Sequence, residues 1–259
     1  MRLFGRQRHQ SAHDPVEISE KKGIRYLHLG GPAVQSAMRI RDPYALELEY
    51  TRAMLAFLLF KADPRAIGLI GLGGGSLAKF IHRNLSDAHL TALEVNPDVV
   101  SAARSYFLLP DNDARLDVRV ADGAAWVREQ TASLDVLLVD GYDAHRIVEA
   151  LASEDFYAAC RNALAPAGVA VFNLWGSDRF FDTYFDRIAR VFDDHTLLLP
   201  AEKRGNIQLF AFRAPLPENG FARLAERARV LEQHLGIEMP AFLDRMKEYN
   251  TVTVSGFRL

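Results

Sequence analysis

Several apolar runs in this chain end at once in glycine or an acidic residue, and these junctions are where chemistry could sit. Gly71-Leu72-Gly73-Gly74-Gly75-Ser76 follows an apolar run and precedes a helical start at Leu77. Glycine lets backbone approach a ligand closely, and loop and helix-start N–H groups can act as donors. Glu94 ends the next apolar run, 19 residues after Gly75. A carboxylate there can accept hydrogen bonds from two ribose hydroxyls and prefers a ligand without a 2′-phosphate. Asp122-Gly123 follows a third run and Asp140-Gly141-Tyr142-Asp143 a fourth. Asp140 and Asp143 share one short loop. Such a pair attracts a cation, and mutual repulsion or desolvation can raise one pKa towards that of a useful base, which suits amine activation. Each feature also has a structural reading: a sharp turn for the glycines, a helix cap for Asp122, solvated turn residues for Asp140 and Asp143.

The elements that must position these residues follow from periodicity. Apolar runs at 67–70, 90–95, 116–120, 134–139 and 169–174 alternate with helical segments, which predicts a mostly parallel sheet with helices on both faces. Pro97 suits a first helical turn, Ser153 a cap, and Gly168 the end of the following helix. The carboxyl ends of such strands line one crevice, so the glycine loop, Glu94, Asp122 and Asp140 are expected to face one ligand. Runs at 196–199 and 207–212 leave no room for a crossover helix and predict an antiparallel pair. Before the sheet, 16–18 and 24–29 alternate around Lys21-Lys22-Gly23 as a hairpin, with a third strand at 33–38. From Pro43, the spacing of Leu46, Tyr50, Met54, Leu55 and Leu58 predicts a helix. Leu224, Ala228, Leu231 and Leu235 predict another, packed back on the core. The expected organisation is a flexible arm over 1–14, a β cap over 15–42, a nucleoside-binding domain over 43–215 and a helical extension over 216–259.

Composition narrows the function classes. Lys and Arg number 31 against 33 Asp and Glu, a net charge of −2, so no overall basic field points to nucleic acid. No run reaches the roughly 18 apolar residues of a membrane span, and no apolar segment follows the basic N-terminus, so a cytoplasmic location is expected. The single cysteine, Cys160, excludes an internal disulfide and reads as a packing residue. Histidines are scattered, and Asp140, Asp143 and His145 lack a further ligand, so no metal is expected. Arg146 could pair with the acids and weaken a base.

Residues 15–213 resemble the spermidine synthase (polyamine aminopropyltransferase) family. The resemblance lies in Gln35-Ser36, the entry over 42–54, the glycine loop, Leu93-Glu94-Val95-Asn96-Pro97, Asp122-Gly123, Asp140 to Asp143, and Phe156-Tyr157 followed by Leu164-Ala165-Pro166-Ala167-Gly168. It implies an α/β, class I methyltransferase-like (Rossmann-like) domain under a small N-terminal β cap, as a homodimer. It also implies that decarboxylated S-adenosylmethionine, a co-substrate and not a bound cofactor, donates an aminopropyl group to a small-molecule amine such as putrescine or another polyamine. By the resemblance Glu94 holds the ribose hydroxyls, Asp122 the adenine amino group, and Gly71 to Gly75 with Gly123 pass close to the nucleoside. Asp140 is then the proton acceptor, Asp143 holds the cationic acceptor, and Gln35, Tyr50 and Tyr142 line its pocket.

The sequence departs from the family at Ser76, where an Asp after three glycines is expected, and at Thr51-Arg52, where a histidine and an acid are expected. No aromatic polyamine contact is evident around 200–205, and Asn173-Leu174-Trp175 replaces a polar stretch. A cation at Arg52 would disfavour a diamine. Ser76 removes a negative group that would repel the carboxylate of intact S-adenosylmethionine, which favours a methyltransferase as the alternative. A non-catalytic adenosine-ligand-binding protein also stays open, and a dinucleotide-dependent dehydrogenase shares the glycine loop and the acidic strand end.

Overall fold

The computed structural model describes residues 13–31, 33–141, 149–201, 205–216, 220–253 and 256–258. Three antiparallel strands come first: β1 Val16–Lys21, β2 Ile24–Leu29 and β3 Val34–Arg39. Lys22 and Gly23 form the two-residue turn between β1 and β2, both with positive φ (52° and 76°), the geometry whose twist matches a hairpin. The helix predicted from Pro43 begins later, as α1 Glu49–Met54 running into a 3₁₀ turn, Leu55–Leu59. Local bonding explains the delay. Asp42 bridges Arg39 and Ala45 N–H donates to Asp42 O, so these residues are already engaged in turns.

The main sheet has seven strands: β4 Ala66–Ile70, β5 His89–Glu94, β6 Leu116–Val120, β7 Leu134–Val139, β8 Leu164–Trp175, β9 Thr196–Pro200 and β10 Asn206–Phe212. Their order is β6-β5-β4-β7-β8-β10-β9. Strands β4 to β8 run parallel, and β10 is antiparallel to both β8 and β9. Alternation divides the central strands between two cores. Ile67, Leu69, Leu138 and Val171 pack with the helices α2 Ser76–Asn84, α7 Phe221–Leu235 and α8 Met239–Tyr249. Ile70, Leu137, Val139 and Phe172 pack on the other face with α4 Gly123–Arg128, α5 Glu154–Ala163 and α6 Phe181–Val191. Helices α6 and α8 fall outside the segments read as helical from sequence, although Met239, Phe242, Leu243 and Met246 carry the helical spacing.

Helices start at Pro97 and after Ser153 as expected, the first with a cap at Asn96 not expected from sequence. Asn96 Oδ1 accepts from Asp98 N–H at 3.0 Å ahead of Pro97 in α3 Pro97–Phe107, and Ser153 Oγ accepts from Phe156 N–H at 3.1 Å. Gly168 does not end a helix. Helix α5 stops at Ala163, the chain enters β8 at once, and the β7–β8 register jumps from Leu134↔Leu164 to Val136↔Val169. A Cβ at Gly168 would lie 2.9 Å from the carbonyl oxygens of Ala165 and Leu134, so this irregularity requires glycine.

The β1–β3 sheet docks on α3 through Leu27 and Met38 against Ala102 and Phe107. Lys79, fully buried on α2, ties the joint: its Nζ donates to Pro43 O at 2.8 Å and Phe107 O at 2.6 Å and contacts Met38 Sδ at 3.3 Å. Burial lowers its pKa to about 8. Cys160 is buried, and burial pushes its thiol well above its ordinary pKa, so it serves as packing. No helix among the described residues is long and apolar enough to cross a membrane.

Candidate active site

Strand order reverses between β4 and β7, since the chain builds outward through β5 and β6 on one side and through β7 and β8 on the other. Crevices form at the carboxyl ends of strands at such a reversal. One does here, a cavity of about 190 Å³. Gly71, Gly73, Glu94, Asp122, Gly123 and Asp140 line it from the sheet side, and Gln35 and Tyr50 line it from β3 and α1. Gly74 and Gly75 do not reach it. Tyr142 and Asp143 lie outside the described residues, as do His145 and Arg146, so the expected acidic pair is represented by Asp140 alone.

The glycines are required by close packing within the protein. A Cβ at Gly71 (φ +91°) would lie 2.1 Å from Asp140 O, and one at Gly73 (φ +52°) would lie 2.7 Å from Ser36 Oγ. At Gly74 it would meet Phe107, at Gly75 Leu109 and at Gly123 Ile70. The expectation that loop N–H groups are free donors needs correcting. Gly71 N–H donates to Leu93 O, Leu72 N–H to Glu94 Oε2 at 3.2 Å, Gly74 N–H to Ser36 Oγ at 2.8 Å and Gly75 N–H to Leu72 O. Ser36 thereby joins the β cap to the loop. A ligand reaching this loop meets few unpaired N–H dipoles, which suits a neutral nucleoside or a cation better than a pyrophosphate.

The carboxylates are held by backbone. Glu94 Oε1 accepts from Asn96 N–H at 3.0 Å while Oε2 accepts from Leu72 N–H, so the chain fixes its rotamer and each oxygen keeps a second lone pair. Asp122 is both a helix cap and a lining residue. Its Oδ1 accepts from Ala124 N–H at 2.7 Å and Ala125 N–H at 3.2 Å, and Oδ2 remains for a ligand.

Asp140 sits just past β7, partly buried. Its Oδ1 accepts from Asn173 Nδ2 at 2.7 Å, and the Tyr50 hydroxyl, 3.4 Å from Gln35 O, acts on the same carboxylate. Burial raises its pKa, the bonds from Asn173 and Tyr50 oppose that rise, and the charge of Glu94 adds to it, with a net upward shift. Tyr50 is pushed well above the ordinary tyrosine range, by burial first and then by the charge and hydrogen bond of Asp140, and so stays a neutral donor. The pair can therefore offer a proton-accepting carboxylate beside a fixed phenol.

Two departures take on a different meaning here. Arg52 does not line the cavity. Its Nε donates to Glu238 Oε1 and Oε2 at 2.9 and 3.1 Å and its Nη1 to Leu46 O at 2.8 Å, so the expected clash with a diamine does not arise. Thr51 and Ser76 do line it, and Thr51 Oγ1 donates to Leu48 O at 2.6 Å. Sequence reasoning assigned no role to Asn173, although a lone amide within the apolar β8 was a visible signal.

Comparison with known proteins places the chain in a family. The spermine/spermidine synthase domain matches residues 47–177. The chain is 43% identical over 238 residues to a polyamine aminopropyltransferase of Chromobacterium violaceum, covering 92% of this chain and 91% of the relative. It is 39% identical over 251 residues to one of Neisseria meningitidis, covering 96% and 95%. Among solved structures, a spermidine synthase in complex with the transition-state analogue AdoDATO superposes with a TM-score of 0.68 at 21% identity, over 88% of this chain and 86% of the other. Human methyltransferase-like protein 13 in complex with SAH superposes with a TM-score of 0.66 at 26% identity, over 73% and 93%. The fold is thus the methyltransferase-like α/β fold that the sequence implied, and the curated relatives are enzymes. With the domain match spanning half its length and these relatives spanning nearly all of it, the chain belongs to the spermine/spermidine synthase family.

Proposed function

We propose that this chain is an aminopropyltransferase that moves the aminopropyl group of decarboxylated S-adenosylmethionine to an amine, with Asp140 as the proton acceptor. The observation that carries this reading is the convergence of Glu94, Asp122 and Asp140, from the ends of three different strands, on one cavity closed by Gln35 and Tyr50. Glu94 accepts from the ribose hydroxyls and Asp122 Oδ2 from the adenine amino group. The glycine loop, most of its N–H groups engaged internally, lies beside a sulfonium that has no use for them. The amine nitrogen attacks the propyl carbon bonded to sulfur; the C–N bond forms, the C–S bond breaks, and its electron pair returns to sulfur as the neutral thioether of methylthioadenosine. The proton released by the new ammonium passes to Asp140. Positioning carries most of the rate, because the leaving group is already charged. Asp143 as a second anchor for the cationic acceptor, Tyr142 as a wall of its pocket, putrescine or another polyamine as acceptor, a homodimer and a cytoplasmic location belong to the same reading and draw on the family.

One observation favours a second reading, transfer of a methyl group from intact S-adenosylmethionine: Ser76 lines the cavity where an acid would repel the methionine carboxylate. Calorimetric titration with decarboxylated and intact S-adenosylmethionine and with methylthioadenosine separates the two. Preference for the decarboxylated donor is expected, and preference for the intact donor would make the chain a methyltransferase. With the preferred donor, Asp140→Asn should lower kcat by about 10²–10⁴-fold while methylthioadenosine still binds. Loss of all nucleoside binding in that variant would remove Asp140 from the role of a dedicated base.

A further inference from the structure

Behind Asp140 lies a line of buried amides that the reaction as derived above does not use. Asn173, in β8, is 4% exposed, and Gln208, its cross-strand partner in β10, is fully buried. Both lie on a sheet face otherwise made of Val171, Phe210 and Phe212. Burying an amide without a partner is costly, so two amides in this layer require an account. Their bonds supply it. Asn173 Oδ1 accepts from Gln208 Nε2 at 3.0 Å and from Asn206 Nδ2 at 2.9 Å, and Asn173 Nδ2 donates to Asp140 Oδ1 at 2.7 Å.

This pattern has a direction. An amide's two ends are distinguished by what surrounds them. Two NH₂ groups face one end of Asn173 and a carboxylate faces the other, so turning the amide over would set NH₂ against NH₂ and C=O against COO⁻. Asn173 can therefore only donate to Asp140. We propose that Asn173, oriented by Gln208 and Asn206, is a positioning residue that holds the Asp140 carboxylate in one rotation as a proton acceptor.

A donor aimed at one oxygen favours the ionised form, opposing the burial and the Glu94 charge that push Asp140 up. The base is thereby set between two limits. Further donors would weaken it as a base, and loss of these would favour its protonated form. The Tyr50 hydroxyl, on α1, acts in the same direction on that carboxylate. This inference rests on Asp140 being the base.

Asn173→Asp is the informative variant. It is nearly isosteric and keeps acceptors for Asn206 and Gln208, but it replaces the donor beside Asp140 with a second carboxylate. The acidic limb of the kcat–pH profile, with decarboxylated S-adenosylmethionine and putrescine, should move up by about one unit or more, while methylthioadenosine affinity stays within about twofold of wild type. The new charge raises that limb by itself, so a variant that adds no charge has to move it in the same direction. Gln208→Met provides a second arm, because it does not line the cavity and its Oε1 has no partner among the described residues. Removing its donor loosens the orientation of Asn173 and should shift the limb in the same direction by less. NMR titration of the Asp140 carboxyl carbon reads the same shift without turnover. An unmoved Asp140 titration in either variant would overturn the proposal. Wild-type kcat in Asp140→Asn would instead overturn the reading of Asp140 as base, on which it stands.

Discussion

Asp140 and Glu94 show how differently one chemical group, the carboxylate, is treated at two positions of the same crevice. Glu94 is gripped by two backbone N–H groups and has only spare lone pairs to offer, so its task is recognition. Glu94→Gln should weaken methylthioadenosine binding by about 10–100-fold, the loss expected for one charge-assisted hydrogen bond of about 1.5–3 kcal/mol, with little change in kcat at saturation; calorimetry and steady-state kinetics read the two effects separately. Asp140 accepts from side chains and is raised by burial. A base works only when deprotonated, so kcat should rise as pH rises through that elevated pKa, with an acidic limb above the ordinary carboxylate range. A pH–rate profile checks this, and a flat profile down to the ordinary carboxylate pKa would count against Asp140.

At the scale of elements, α1 is too short to be held by its own hydrogen bonds, and it carries Tyr50 and Thr51 into the cavity. Helix α8 and its entry clamp it. Glu238 pairs with Arg52 at 2.9 Å, and Arg245 pairs with Glu49 at 2.9 Å and donates to Pro200 O at 3.0 Å. The second pair is the more sheltered, its side chains 17% and 18% exposed. Arg245→Ala should therefore destabilise by about 1–3 kcal/mol, between exposed and buried pairs, and raise KM for the amine more than it weakens methylthioadenosine binding. Thermal melting and substrate titration test both parts. The residue at position 52 reads as misplaced in sequence because its partner, Glu238, lies far along the chain.

At the scale of the whole molecule, the β cap meets the main sheet over a buried ammonium. Lys79 has a pKa near 8 against 10.5 for a free lysine, so between these values the unfolded chain binds more protons than the folded one. Its contribution to stability therefore rises with pH across that window and is least favourable below it. Compared with Lys79→Met, the wild type should gain stability from about pH 8 towards 10.5, by at most about 3 kcal/mol. Denaturant unfolding of both proteins at three pH values measures the difference, and a constant gap would mean that Lys79 titrates normally.

The sequence by itself determined the sheet and the sheet-side wall of the site. Parallel strands are near-continuous apolar runs, and a ligand crevice at their carboxyl ends follows from topology, so Gly71, Glu94, Asp122 and Asp140 were legible as a set. Local chemistry likewise marked the Lys22-Gly23 turn, Pro97 at a helix start and the caps at Asp122 and Ser153. Only the tertiary structure decided what depends on partners distant in sequence. It turned Arg52 away from the cavity to Glu238, engaged the glycine-loop N–H groups with Leu93, Glu94, Ser36 and Leu72, and set Asn173 between Gln208 and Asp140. Periodicity reports which face of an element is buried, whereas the bond that each buried polar atom makes is fixed only when separate elements meet.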